Sequence, residues 1–322
     1  MTPAPLAPRT KIFAALLKRL STPVEEAQDH AALRADRDRL MKTPVGRMVF
    51  GTPDRRVRTE SAEIPLKGRT LRALIHRPTG VGGVRPVVVN FHGGGWVQGS
   101  PEQSAWLASR VAAGTGAVVI SPSYRLAPEY PFPTATDDTW EALGWIVENA
   151  ERLGIDPDRL AVMGDSAGGN LAAVAAQRSV AEGVPRIAAQ VLIYPAVEMY
   201  EKFASELRMP DEPVLTSANM SAFAHLYLGD AYGTTDPLAS PLRATSFDGL
   251  PPAFILPAHH DPLLDNGVKY REALQRAGVP VLYREYPSTI HGFLSLPGVV
   301  PAAKDAARDI IDYLAAQIVV PS

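Results

Sequence analysis

The sequence predicts an α/β protein built on one mostly parallel sheet with helices on both faces. Two observations carry this. Short apolar runs recur at 86–91, 117–120, 160–163, 188–194, 253–256 and 281–286, and helical stretches separate them at 104–113, 138–153, 167–181, 266–277 and 302–316. Runs that are apolar at successive positions mark strands buried on both faces. Alternation of strand and helix makes such strands parallel neighbours. Two further segments, 57–64 and 70–76, lie around a turn at Lys67-Gly68 and are expected to pair as an antiparallel edge, for eight strands in all.

Two regions stand outside this rhythm. The first 50 residues read as amphipathic helices. Ile12, Leu16, Leu17 and Leu20 share one face, Ser21-Thr22-Pro23 ends that helix and caps the next, Glu25 falls near its start, and the second helix is expected over 24–40. The simplest role is a cover over the core, and a membrane-surface helix is the alternative. Nearly 60 residues separate Tyr194 from Ala253, far more than a crossover needs. That stretch holds an expected helix over Ser217–Leu228, with Met220, Phe223, Ala224 and Tyr227 at helical spacing. The expected organisation is cap helices over 1–50, a catalytic domain over 51–195 and 251–322, and a cap insertion over 196–250.

Composition narrows the function. The chain has 322 residues, 46% of them hydrophobic and 20% charged, enough for a substantial core. A net charge of −2 provides no field for nucleic acid or an anionic membrane. There is no cysteine, hence no disulfide, thiolate metal site or thiol nucleophile. No apolar stretch approaches the ~18 residues of a membrane span, and the run 12–17 is too short and too soon interrupted by Lys18-Arg19 for a signal sequence. The expectation is a cytoplasmic protein.

Chemistry concentrates in two segments. Gly164-Asp165-Ser166-Ala167-Gly168 fits G-x-S-x-G between an expected strand and an alanine-rich helix, the context of a nucleophile elbow. Upstream, His92-Gly93-Gly94-Gly95-Trp96 is a glycine-rich loop whose backbone N–H groups can meet an oxyanion. Ser166 is therefore the candidate nucleophile, and the N–H groups of Gly94, Gly95 and Ala167 are the candidate oxyanion donors. His291 follows the last expected strand, on the carboxyl edge where active-site loops gather, and is the candidate base. Asp261 follows the strand at 253–256 and is the candidate acid. Asp265, one turn later, better suits the start of a helix. The order Ser166, Asp261, His291 is that of an α/β-hydrolase. Gly93, Trp96, Asp165 and His260 are placed in the substrate pocket. His92 is expected to brace the glycine loop, Arg125 and Glu129 to pair beneath it, His225 to sit on the insertion, and His30 and His76 to be structural. No metal site is expected, because His259-His260 has no evident partner ligands.

These motifs, with Tyr124-Arg125-Leu126-Ala127-Pro128-Glu129, Asp261-Pro262-Leu263 and His291-Gly292-Phe293, resemble the hormone-sensitive-lipase-like family, the family IV bacterial carboxylesterases of the GDSAG type. The resemblance runs from about Thr22 to the last helix. It implies the α/β-hydrolase fold under a helical cap, hydrolysis of short- to medium-chain acyl esters of small molecules, no cofactor, and often a homodimer. It also implies the catalytic and oxyanion roles given above. Two positions depart from the pattern: the family usually has an acidic or small residue before the aspartate where this chain has His259-His260, and arginine is common where Leu264 stands. An amidase or arylformamidase with the same three residues is the competing enzyme. A non-catalytic receptor on the same scaffold is the competing class, but such receptors lack the catalytic histidine, and His291 is present.

Overall fold

A computed structural model describes residues 4–20, 24, 27, 29–80 and 82–319, without the side chains of Lys18 and Leu20. Its sheet has eight strands: β1 (Val57–Leu66), β2 (Arg69–Pro78), β3 (Arg85–Phe91), β4 (Val118–Pro122), β5 (Ile155–Asp165), β6 (Ala189–Ile193), β7 (Ala253–Leu256) and β9 (Val281–Tyr283). They lie in the order β1-β2-β4-β3-β5-β6-β7-β9. Only the pairings β1–β2 and β2–β4 are antiparallel, so the expected antiparallel edge is present.

Side-chain parity explains the continuous apolar runs. In β3, Val87, Val89 and Phe91 face one core with Leu143, Leu171 and Leu274, while Val88 faces the other with Val111, Ile310 and Leu314. Helices α5 (Thr134–Glu148), α7 (Ala167–Glu182) and α10 (Leu264–Arg276) cover the first face, and α4 (Ala105–Thr115) and α11 (Ala303–Ile318) the second. Both faces of the strand are thus out of water, which strands with a polar face would not tolerate.

Several expected boundaries shift. The helix expected over 138–153 is two, because Asn149 leaves helical geometry between α5 and α6 (Ala150–Leu153). Near the N-terminus, α1 (Pro8–Leu20) turns Phe13, Ala14 and Leu17 inward and leaves Ile12 and Leu16 exposed, which rotates the apolar face from the one expected. The cap expected at Ser21-Thr22-Pro23 and Glu25 lies outside the described residues. The second helix is α2 (His30–Lys42), capped by Asp29, and α3 (Pro44–Phe50) follows, capped by Thr43 with Pro44 at its first position. In the insertion, α8 (Ala204–Arg208) precedes α9, which spans Ser217–Leu228 as expected and is capped by Thr216.

A second sheet was not anticipated. β8 (Ala258–His260) and β10 (Tyr286–Ile290) pair in parallel beyond the carboxyl edge of the main sheet. The run expected as one strand over 281–286 is therefore two short ones, and His291 follows β10. Among the described residues no helix is long and apolar enough to cross a membrane.

The expected Arg125–Glu129 pair does not form. The segment is not a helix, so a four-residue spacing brings no contact. Arg125 turns to Asp138 of α5, at 2.8 Å, and Glu129 turns to Arg34 of α2, also at 2.8 Å. Asp138 has no exposed side-chain surface and also accepts from Arg69, at 2.7 Å, and from the Arg125 backbone N–H, at 2.9 Å. One carboxylate thus ties β2, α5 and the 124–129 segment together. Its loss would strand the Arg125 guanidinium and leave Arg69, only 18% exposed, with Glu141 as its remaining carboxylate partner. Asp138→Ala should lower the unfolding free energy by about 3 kcal/mol, read by urea denaturation. A change within about 0.5 kcal/mol, as at ordinary surface sites, would contradict this reading.

Candidate active site

The carboxyl edge of the parallel strands gathers the chemistry-bearing loops. β5 ends at Asp165, and Ser166 turns the chain into α7 with φ 54° and ψ −117°. A side chain with a Cβ rarely adopts that conformation. The glycines on either side are required by space: a Cβ on Gly164 would run into the Gly168 carbonyl, and one on Gly168 into that of Phe91. The turn is held by the Ser166 N–H, which donates to the Ile193 carbonyl at 2.9 Å, and by the Ser166 carbonyl, which accepts from Asn170 N at 3.1 Å. The Asn170 side chain donates to the carbonyls of Ala196 and Ala239, at 2.9 and 2.8 Å, and so ties the elbow helix to the start and end of the insertion.

His291 lies between Ser166 and Asp261. Its Nδ1 is 2.7 Å from Asp261 Oδ2, and its Nε2 is 2.9 Å from Ser166 Oγ. A carboxylate can only accept, so the Nδ1 proton points at Asp261 and Nε2 is free to accept from the Ser166 hydroxyl. Asp261 is fully buried, and its other oxygen accepts the Leu263 N–H at 2.9 Å, which fixes the carboxylate in its turn. The Tyr194 ring packs 4.8 Å from the imidazole. The Thr289 hydroxyl donates to the Tyr286 carbonyl and accepts from His259 N, joining β10 to β8 just before His291. Asp265 stands apart in the first turn of α10, where it accepts the Ser205 N–H at 2.7 Å.

The glycine loop closes against this series. Gly93 N–H donates to Asp165 Oδ1 at 2.9 Å, and a Cβ on Gly93 would collide with the same carboxylate. Burial raises the Asp165 carboxyl to about 6, the Gly93 N–H opposing the rise. His92 is buried, which lowers it to about 4, so it is a neutral ring near pH 7. It donates from Nδ1 to the Gly93 carbonyl and stacks on Tyr124 at 4.2 Å, and the Tyr124 hydroxyl donates to the His92 carbonyl at 2.7 Å. His92 thus braces the loop, as expected. Gly94 and Gly95 have φ of 123° and 61°. A Cβ on Gly95 would strike the Phe223 ring of α9. The N–H groups of Gly94, Gly95 and Ala167 donate to no protein acceptor among the described residues, and Ala167 opens α7, where N–H groups are orphaned by helix geometry.

A cleft of about 900 Å³ opens over Ser166 and His291. Its walls come from α1, α2 and α3, from the insertion, and from Gly94, Gly95 and Trp96. Trp96 is 3% exposed and stacks on Tyr227 of α9 at 4.5 Å, so it serves both wall and core. Asp165 also lines the cleft. The other two expected pocket residues do not. Gly93 is turned under the loop against Asp165. His260 donates to the Ala4 carbonyl at 2.7 Å and lies 3.5 Å from Glu212, a cleft residue, without itself facing the cleft. His76 is buried in β2 against the Thr59 hydroxyl, and His225 stacks on Tyr232 at the surface of the insertion.

Sequence reasoning missed Arg34. This residue of α2 donates to the carbonyls of Val97 and Ala127, at 2.7 and 2.6 Å, and to both carboxylate oxygens of Glu129. It clamps the N-terminal helices onto the glycine loop. Its only local signal is a charge on a polar helix, which reads as a solvated face.

Comparison with known proteins points to the same fold. Residues 88–295 match a family described as alpha/beta hydrolase fold. Esterase LipI of Mycobacterium tuberculosis is 43% identical over 69% of this chain and 70% of its own length. Ethyl acetate hydrolase of Pseudomonas putida is 36% identical over 77% of this chain and 79% of its own. Among solved structures, a thermostable esterase from Pseudomonas putida ECU1011 superposes with a TM-score of 0.90 at 31% identity, covering 100% of this chain and 99% of that one. The chain belongs to the hormone-sensitive-lipase-like family of the α/β-hydrolase superfamily.

Proposed function

We propose that the protein is a serine carboxylesterase that hydrolyses short- to medium-chain acyl esters through an acyl-enzyme. The observation that carries this reading is the hydrogen-bonded series Ser166–His291–Asp261 at the floor of an open cleft. In the proposed cycle the Ser166 oxygen attacks the ester carbonyl while His291 Nε2 takes the hydroxyl proton. Asp261 holds the imidazole in the required tautomer and stabilises the imidazolium. The N–H groups of Gly94, Gly95 and Ala167 receive the charge that develops on the carbonyl oxygen. His291 returns its proton to the leaving alcohol, then activates a water against the acyl-enzyme.

Residues 1–50 and 196–250 act together as a cap over a catalytic domain of 51–195 and 251–322. Support comes from the cleft, which both segments line, and from Arg34, which joins the first of them to the glycine loop. The chain without cysteine favours a cytoplasmic location, and a homodimer is the assembly the family resemblance suggests. An amidase using the same residues is the weaker reading, since the relatives compared are named for ester hydrolysis.

Two expectations test the proposal. On p-nitrophenyl esters from acetate to palmitate, the rate should peak between acetate and hexanoate, because a cleft roofed by helices limits the acyl chain. A maximum at dodecanoate or beyond would overturn that assignment. Asp261→Asn should lower turnover by ~10⁴ by favouring the wrong imidazole tautomer. Asp265→Asn should cost about 1 kcal/mol of stability with little change in rate. Normal turnover by the first variant, or inactivity confined to the second, would show that the acid is misassigned.

A further inference from the structure

Of the Lys and Arg side chains that line the cleft, Arg37 alone has no carboxylate at ion-pair distance among the described residues, although the cleft also holds the carboxylates of Glu201 and Asp211. Glu198 meets Arg243 at 2.7 Å, Lys202 meets Glu206 at 3.3 Å, and Glu212 meets His260 at 3.5 Å. Arg37, on the same helix as Arg34, lines the cleft with Gly94, Gly95 and Ser166. Its Nη1 reaches only the Gln98 side-chain oxygen, at 3.4 Å, and its Nε is buried without an acceptor. Among the described residues it forms no ion pair; Asp165 and Asp38 act on it from beyond contact distance. Burial lowers its pKa, yet a guanidinium stays charged throughout the working range. Gln103, on the same wall, is 3% exposed and also has an unmatched side-chain oxygen.

Arg37 keeps part of its surface toward the cleft, but its Nε is buried without an acceptor, and an unmatched buried donor is costly. A bound carboxylate removes that cost, because its two oxygens match the guanidinium fork. We propose that Arg37 is a carboxylate-recognition residue, and that the preferred esters carry a free carboxylate besides the scissile bond. This rests on the esterase reading and specifies its substrate class. The carboxylate can belong to the acyl part, as in a half-ester of a dicarboxylic acid, or to the alcohol part, as in an acylated hydroxy acid. The competing role for Arg37 is counter-charge to Asp165. That carboxylate, however, already accepts the Gly93 N–H and lies out of ion-pair reach.

The test compares kcat/KM on matched ester pairs by pH-stat, using the full chain. One arm sets monoethyl succinate, glutarate and adipate against ethyl esters of neutral acids of equal length. The other sets acetyl esters of hydroxy acids against acetyl esters of the corresponding alkanols. The wild type should prefer the carboxylate-bearing ester in one arm, and that arm identifies its source. Arg37→Gln should lower the preference ratio roughly tenfold or more, while Arg37→Lys keeps part of it. A ratio of two substrates on one preparation does not depend on the fraction that is folded. Preference for neutral esters in both arms would overturn the proposal. So would an equal loss on both members of each pair in Arg37→Gln, the result expected of a counter-charge to Asp165. Failure to hydrolyse any ester would instead overturn the esterase reading, and the proposal with it.

Discussion

The rest of the site depends on how closely the backbone approaches itself around Ser166. Neither Gly164 nor Gly168 has room for a Cβ, and Ser166 itself sits at positive φ. Such a residue stores on the order of 1–3 kcal/mol of strain, held here by backbone hydrogen bonds from β6 and from the first turn of α7. The same approach that lifts the serine out of the sheet sets α7 against the carbonyls of Phe91 and His92. The glycine loop at the end of β3 is therefore fixed beside the elbow, and Gly93 can donate to the side chain of the residue before the serine.

Outward from that contact the structure is a series of braces on the loops. Tyr124 and His92 hold the glycine loop from below, and Asp138 anchors the segment that carries Tyr124. Arg34 holds the loop from the N-terminal side, while Phe223 and Tyr227 of α9 press on Gly95 and Trp96. The loop thus meets both the N-terminal helices and α9 directly. Movement of either would be felt where the developing charge of an acyl transfer would lie, and so the helices outside the sheet belong in an account of chemistry.

What the sequence made legible follows from the range of the forces involved. Strands buried on both faces leave continuous apolar runs, and the eight-stranded sheet could be drawn from them. Ser166, Asp261 and His291 each follow a strand, so chain order alone suggested that they meet. The paired strands β8 and β10 escaped notice because they have three and five residues, too few to show a period. The face of α1 was misjudged, since Phe13 and Leu17 rather than Ile12 and Leu16 turn inward, a choice made by the cleft and not by the helix. Arg34, Arg37 and Asn170 act across 26 to 95 residues of sequence, and nothing local distinguishes them from solvated polar side chains. His260 was placed in the pocket by nearness to Asp261 in sequence, yet β8 directs it toward Ala4 and Glu212.

The central claim is that Ser166, activated through His291, is the one nucleophile. Reaction of the full chain with a p-nitrophenyl alkylphosphonate, followed by intact mass and peptide mapping, addresses it most directly. The account predicts a single adduct on Ser166, with p-nitrophenol released in equal amount and ester hydrolysis lost in step. An adduct on another residue, or full labelling of Ser166 with hydrolysis intact, would contradict it.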